Sequence, residues 1–385
     1  MTVTVRGIGM LAAGVVLVSV GCWLSHPEAA AVGVAAVLAV PASLVVGLLR
    51  PRPTASRTVE ADRVARGDTC RATLTVGSAS RWSTVVSVDD RYAVAARQAT
   101  PPDARRMLFP AVRLSPGVAT VVHYDVPTDR RGLVRLGPLR AGWHDPLGLT
   151  RVEGVCAGQH LVRVHPRRHT LAAMPDGPAD DDSRRAGPAS LAGSLSASLR
   201  QYTPGDDLRH VHWRSSVRLG ELMVRERASG ERPAVLLLLD DRAGVHHGDT
   251  FEHACEATGS LAASALREGR PLHLLTVGGV RLGGLAELAP YLDLLAEADP
   301  HAVGELSAVL AGTRGFGFPV GEGLLVYVTG RSTAADLDAF AGLSGLFAKS
   351  VAVAFGPQHE RRPGTSVRLL AARDGADFAS RWTAQ

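Results

Sequence analysis

Uncharged apolar residues run almost unbroken from Ile8 to Leu24 and again from Ala29 to Leu49. Stretches of about 17 and 21 residues fall within the length that crosses a hydrocarbon core roughly 30 Å thick. Ser25-His26-Pro27-Glu28 makes a short turn between them. The second stretch follows at once, with no small-residue cleavage site before a polar start, so the pattern predicts a transmembrane hairpin over residues 1–50 rather than a cleaved signal peptide. Arg6 precedes the first span, and Arg50, Arg52, Arg57, Arg63 and Arg66 follow the second. The positive-inside bias then predicts a two-pass cell-membrane protein with both termini cytoplasmic. Pro41 is tolerated within a membrane helix.

The period changes after the stiff Pro51-Arg52-Pro53 linker. Short alternating runs (Arg71–Val76, Thr84–Val88, Val118–Val126, Leu133–Leu136, Leu161–Val164) are separated by Gly, Pro, Asp and Ser clusters, which predicts an immunoglobulin-like β-sandwich over residues 58–165. Asp145-Pro146-Leu147-Gly148 reads as a turn, a structural corner that fixes strand exchange or, as the alternative, a partner-binding loop; beside it Trp143 packs and His144 faces water. Residues 166–200, rich in Pro, Gly, Ala and Ser, read as a flexible linker. Its acidic run Asp180-Asp181-Asp182 is a solvated surface rather than a metal site, and Leu191, Leu195 and Leu199 suit a helical turn or two.

Residues 231–385 alternate between strand and helix patterns. Val235–Asp240, Leu272–Val277, Leu324–Thr329 and Ser350–Phe355 read as buried strands. Phe251–Glu268, Leu285–Leu295, Pro300–Ala311 and Ala334–Phe347 read as helices. This builds an α/β domain on a doubly wound parallel sheet, with sites expected at the carboxyl ends of its strands.

Between the two patterns lies the densest chemistry of the chain, YTPGDDLRHVHWRSSVRLGELMVRE from Tyr202 to Glu226. Pro204-Gly205 suits a tight turn and Asp206 or Asp207 an N-cap. Leu208, Val211 and Ser215 share the face of a short helix ending near Val217, Gly220 stops it, and Leu222 and Val224 alternate as a strand. Two roles are open to the segment. In one, Asp206 and Asp207 cap the helix and pair with Arg209 and Arg214, and Trp213 fills a joint between domains. In the other, Trp213, Arg209, Arg214 and Arg218 form a docking face. His210-x-His212 with the two aspartates has metal-ligand types, yet on a helix residues two apart point in divergent directions.

The pattern Tyr202-x-Pro204-Gly205-Asp206-Asp207-x-Arg209, then Trp213-Arg214-x-Ser216-x-Arg218 and a strand ending in Leu-Leu-Leu-Asp, resembles the domain-of-unknown-function-58 family of bacteria. Arg130-Arg131-Gly132-Leu133-Val134-Arg135-Leu136-Gly137-Pro138 and Asp145-Pro146-Leu147-Gly148-Leu149 are similar to a second signature of that family. His212 departs from it, since many members carry aspartate before the tryptophan. The resemblance covers almost the whole chain and makes residues 201–230 the family signature. It implies a MoxR-type AAA+ ATPase as partner in assembly or maturation of other proteins, the company of a membrane transglutaminase-like protein, and a C-terminal domain similar to the von Willebrand factor type A fold; with no catalytic motif visible in the chain, the expected role is that of a non-enzymatic adaptor. In that fold the first strand ends in Asp-x-Ser-x-Ser, whose oxygens hold Mg²⁺. Here the stretch is Asp240-Asp241-Arg242-Ala243-Gly244, a degenerate position that lacks both hydroxyls and carries a cation. Thr329 and Ser332 are further oxygen donors nearby. The alternatives are a divalent-metal-dependent ligand-binding type A protein and, third, a metal-dependent hydrolase.

Composition narrows this only a little. The formal charge of +5 and pI near 9.4 arise from arginines interspersed with acids, and without basic blocks interleaved with aromatics they point to a membrane-proximal surface rather than nucleic acid. Cys22, Cys70, Cys156 and Cys255 lack the spacing of zinc or redox sites; Cys70 and Cys156 have the option of pairing only in an extracytoplasmic β domain. His246-His247 reads as surface loop. No Gly-x-Ser-x-Gly elbow or phosphate-binding Gly-x4-Gly-Lys-Ser/Thr loop is present, so a serine hydrolase, ATPase or kinase is not expected.

Overall fold

The computed structural model describes residues 2–49, 53–79, 84–95, 105–109, 112–115, 117–145, 147–175, 198–203, 211, 213–226, 232–300, 306, 323–356 and 368–384. The chain divides into two compact units, Met1–His165 and Pro166–Gln385.

In the first unit a short strand β1 (Thr2–Val3) leads into helices α1 (Val5–Trp23) and α2 (Pro27–Leu49), and α2 runs unbroken through Pro41. Both are long and apolar enough to cross a membrane. The buried residues of α1 are Gly7, Gly14 and Gly21, one every seventh position, while Val5, Ile8 and Val16 of α1 and Leu38 of α2 face outward. This inverts a water-soluble helix pair. Small residues let the two backbones approach, as they do where lipid rather than water surrounds the large side chains. A Cβ added at Gly33 would lie 2.7 Å from the Val18 nitrogen, so only glycine permits this crossing.

The rest of the unit is β2 (Thr54–Val59), β3 (Arg63–Ala65), β4 (Arg71–Gly77), β5 (Thr84–Ala95), β6 (Arg105–Leu108), β7 (Val112–Leu114), β8 (Thr120–Asp125), β9 (Gly132–Leu136), β10 (Leu139–His144), β11 (Thr150–Ala157) and β12 (His160–His165). Among the described residues, β2, β4 and β8 form one sheet and the other strands a second, built around β5. Alternation does the positioning: Ala72, Leu74 and Val76 of β4 point inward and meet Val86, Val88, Leu136, Leu139 and Ala141 of the larger sheet. A buried ion pair also crosses between the sheets. Arg57 donates to both oxygens of Asp90 at 2.9 and 3.0 Å and to the Leu136 and Gly158 carbonyls, and the Tyr124 hydroxyl donates to Asp90 at 2.7 Å.

The Asp145–Gly148 turn joins β10 to β11, which pair directly, so it closes a hairpin within one sheet and exchanges no strand. Asp145 holds it, accepting from the Thr150 and Leu147 N–H groups. Trp143 is buried as expected. Cys70 and Cys156 are free thiols, not a disulfide.

In the second unit, residues 166–175 are a strap over the α/β core rather than the flexible linker that their composition suggests. Leu171 and Met174 are buried among residues of α4 (Thr250–Arg267). Along the strap, His169 N–H donates to Ser260, Met174 N–H to Glu268, and the Leu171 and Met174 carbonyls accept from Arg267 and Arg270. The expected linker continues through residues that lie outside the described set, including the acidic run at 180–182. Leu199, expected in a helical turn, lies in strand β13 (Ser198–Gln201).

The core sheet has the order β17-β16-β15-β18-β19-β20. Its strands are β15 (Val235–Leu239), β16 (Leu272–Thr276), β17 (Arg281–Gly283), β18 (Leu324–Thr329), β19 (Lys349–Phe355) and β20 (Arg368–Ala372); all are parallel to their neighbours except β17. Successive residues of β15 face opposite layers. Val235, Leu237 and Leu239 meet α4, α5 (Ala289–Glu297) and α7 (Gly375–Thr383), whereas Leu236 and Leu238 meet α6 (Ala334–Ser344) and Leu306. That two-sided burial is why these strands read as continuous apolar runs. Of the helix expected over 300–311, Leu306 alone is described after residue 300, and it is helical and buried. Strands β17 and β20 and helix α7, unread in the sequence, complete the sheet and one of its layers.

Leu171→Ala is expected to destabilise the α/β unit by about 2–5 kcal/mol, the cost of emptying a packed leucine site. Urea unfolding of the full chain in detergent checks this; a true linker residue would move the midpoint by no more than ordinary surface substitutions do.

Candidate functional site

In the core sheet β15 is followed in sequence by β16 on one side, and the chain then crosses to β18 on the other. The strand order therefore reverses between β15 and β18, and in open α/β sheets ligands bind at the carboxyl ends of such a pair. Asp240-Asp241-Arg242 leaves β15 at that point, Thr329 ends β18, and Asp336 opens α6. Thr333 caps α6 in a reciprocal arrangement: its hydroxyl accepts from Asp336 N–H, and its own N–H and hydroxyl reach the Asp336 carboxylate. This fixes the rotamer of Asp336.

Asp240 has no exposed surface. Its Oδ1 accepts from the Arg242 backbone N–H at 3.2 Å and from Nε at 2.9 Å. Its Oδ2 accepts from the Arg242 guanidinium at 2.7 Å, Tyr327 OH at 2.6 Å and Thr329 Oγ1 at 3.0 Å. The same guanidinium nitrogen reaches Asp336 Oδ1 at 2.9 Å. A charge-assisted fork thus bridges two carboxylates. Burial alone would raise the pKa of Asp240, but the hydrogen bonds from Arg242 and Tyr327 outweigh it and hold the carboxyl below its ordinary range. Arg242 is pushed up by its bond to Asp240, and Tyr327 is pushed up by burial and by the Asp240 charge.

Mg²⁺ does not fit this arrangement. It needs hard oxygens in near-octahedral array, whereas both Asp240 oxygens are committed and a guanidinium stands between Asp240 and Asp336. The resident cation is a side chain. Ser332, the other expected oxygen donor, is buried, and Thr329 donates its hydroxyl proton to Asp240. Among the described residues no three His, Cys, Asp or Glu side chains gather as a metal set.

The neighbours brace the loop. Asp241 Oδ1 accepts from Gly278 N–H at 2.6 Å, and burial raises its pKa. His246, expected on the surface, is partly buried with Nε2 2.6 Å from the Asp240 carbonyl oxygen, and desolvation lowers its pKa. His247 is exposed, as expected.

The signature segment folds as β13, then helix α3 (Trp213–Leu219), then β14 (Met223–Glu226), with β13 and β14 antiparallel. Val211, expected on the helix, is a buried residue in a β-bridge instead. Gly220, at φ +75°, ends it as expected, since glycine tolerates that conformation. Ser216 is buried and its Oγ accepts from Met223 N–H at 2.8 Å, clamping helix to strand. Tyr202 N–H donates to the Leu222 carbonyl at 2.7 Å. Pro204, Gly205, Asp206, Asp207, Arg209, His210 and His212 lie outside the described residues. Arg214 is a helical position, and Arg218 is exposed in the last turn. Trp213 is 61% exposed and Val217, one turn on, 82% exposed. Sequence periodicity had assigned no partner to Val217; its i, i+4 spacing from Trp213 was the available signal.

Residues 198–286, running from β13 to just past β17, match the family described as "Protein of unknown function DUF58". The uncharacterized protein YeaD of Bacillus subtilis (strain 168) is 25% identical over 177 residues, 46% of this chain and 42% of YeaD, so the match spans less than half of the relative. Similar solved structures include the Pseudomonas fluorescens alkylpurine DNA glycosylase AlkC bound to abasic-site DNA (TM-score 0.23, 13% identity, 37% of this chain and 39% of that one). Another is the CARDB domain of PF1109 from Pyrococcus furiosus (TM-score 0.20, 14% identity, 30% of this chain and 90% of that one). Overlaps at this level support no shared activity.

Arg242→Ala leaves a buried carboxylate unpaired and is expected to cost about 3–5 kcal/mol at pH 7. The folded pKa of Asp240 is depressed, so its contribution is complete above the unfolded value of about 3.9 and is lost as pH falls through the folded one. The gap between wild type and variant in urea unfolding should therefore close below about pH 4.

Proposed function

We propose, starting from a chain that carries the DUF58 family segment, that it is a membrane-anchored, non-enzymatic adaptor whose α/β module docks a macromolecular partner. The carrying observation is the exposed Trp213–Val217 pair on α3, within the signature segment and next to exposed Arg218. Tryptophan and arginine dominate the energetics of protein interfaces. A large aromatic left in water beside a bare valine fits a face that is covered by something else. The family resemblance nominates a MoxR-type AAA+ ATPase as that partner, with a membrane transglutaminase-like protein as a second.

The switch point supports an adaptor over a cation-dependent ligand binder, because Arg242 already fills the position a cation would take. In this reading the two facing sheets of the first unit are an immunoglobulin-like sandwich. The second unit is a von Willebrand factor type A-like module, supported by its parallel sheet covered on both faces and by the acidic loop after its central strand. Helices α1 and α2 are the membrane anchor, supported by their outward apolar and inward glycine faces.

Trp213→Ala combined with Val217→Ser is expected to weaken capture of a MoxR-type AAA+ ATPase at least about tenfold, equivalent to ~1.4 kcal/mol, with a melting temperature within about 2 °C of wild type. Equal loss of binding and stability would make α3 structural. For orientation, a C-terminal fluorescent-protein fusion should be bright and an alkaline phosphatase fusion inactive; the reverse pattern would place the C-terminus outside.

A further inference from the structure

The two apolar helices are tied to one turn of the β unit, and the tie points set a depth. Strand β1 pairs with β11, Thr2 opposite Arg151 and Val3 opposite Thr150. Thr4 caps α1 by accepting from Gly7 N–H, while its own N–H reaches the Leu149 carbonyl at 2.9 Å and its hydroxyl the Gly148 carbonyl at 2.6 Å. On α2, Ser43 Oγ and Thr150 Oγ1 share a buried hydrogen bond of 2.7 Å. The turn before β11 is thus level with the start of α1 and with Ser43 of α2.

Helix α2 does not stop at that level. It continues to Leu49, six residues beyond Ser43 (49 − 43), or about 9 Å at ~1.5 Å per residue. Along this extension Val45 is 54%, Leu48 77% and Leu49 79% exposed. If the helices cross a bilayer, apolar surroundings must reach past the turn to cover these residues. Leu147, within the turn, is 64% exposed, and Val5, at the start of α1, 86%. The exposed Arg6 extends its guanidinium over Gly148, 3.8 Å from where a Cβ there would sit. An apolar tip beside an arginine that can turn toward water or phosphate is the side-chain set of a membrane interface.

We propose that the Asp145–Thr150 turn is a lipid-contacting element of the β unit: Leu147 enters the boundary between headgroups and acyl chains, and Arg6 faces lipid phosphate. The turn then acts as a second, shallow foothold that fixes how the β unit stands on the bilayer. This rests on the reading of α1 and α2 as spans.

The test uses the full chain with Cys22→Ser and Cys156→Ser, reconstituted in vesicles of phosphatidylcholine and phosphatidylglycerol. An environment-sensitive nitrobenzoxadiazole label is placed in turn at Leu147→Cys, at Val16→Cys within α1, and at Asp125→Cys at the end of β8 remote from where the chain leaves α2. Quenching is read with nitroxides on the headgroup, shallow acyl and deep acyl positions. The expected result is deep quenching at position 16, shallow quenching at 147 at least threefold stronger than at 125, and none above background at 125. Quenching at 16 without quenching at 147 overturns the foothold and leaves the spans intact. No quenching at 16 overturns the spans, and the foothold with them.

Discussion

A carboxylate with no exposed surface needs a cation, and at the end of the central strand of the α/β unit that requirement is met from within the chain. Asp240 is surrounded by Arg242, Tyr327 and Thr329, and Arg242 also binds Asp336. The space between Asp240 and Asp336 at the carboxyl end of this parallel strand is therefore filled by a side chain two residues along. Unpaired, Asp240 would shift toward its neutral form; paired, it stays charged and locks β15, β18 and α6 together. The first unit repeats the principle with Arg57, Asp90 and Tyr124, which bind its two sheets. In both units buried charge holds elements in register.

The first unit also brings together two opposite packing arrangements. In α1 and α2 large apolar residues point outward and glycines inward, so close backbone contact replaces side-chain interdigitation. In the same unit β4 follows the opposite rule, with alternate residues turned inward and polar ones outward. The Asp145–Thr150 turn is where these two arrangements meet, and its hydrogen bonds to Thr4 and Ser43 hold helices and sheet together. A turn with a hairpin's geometry is thereby also the mount of the helix pair.

In the second unit the largest solvent-facing aromatic belongs to the signature segment. Helix α3 is clamped to its strand by Ser216 and leaves Trp213 and Val217 bare. Such a helix spends its buried face on its own strand and has its apolar side chains free for another surface. The adaptor reading draws on that division together with the closed switch point.

Much of this was legible because it depends on local period. Unbroken apolar runs marked α1, α2 and the parallel strands β15, β16, β18 and β19, and Gly220 marked the end of α3; each is set by rules that act over a few residues. The glycines at 7, 14 and 21 are equally local, since a seven-residue spacing returns to one face of a helix. What the sequence did not reveal depends on partners far along the chain. Residues 166–175 look like a linker because their hydrogen-bond partners lie some ninety residues later on α4. The Asp145 turn looks like a corner until β10 and β11 are seen paired. Arg242 marks a spoiled cation site in the sequence, but only folding, by bringing Asp336 and Tyr327 beside Asp240, made it the replacement cation. The order of residues determined which segments would form long apolar helices, buried strands or amphipathic helices; the tertiary structure alone decided which charges meet, because charge pairing is settled by distance in space and leaves no period in the chain.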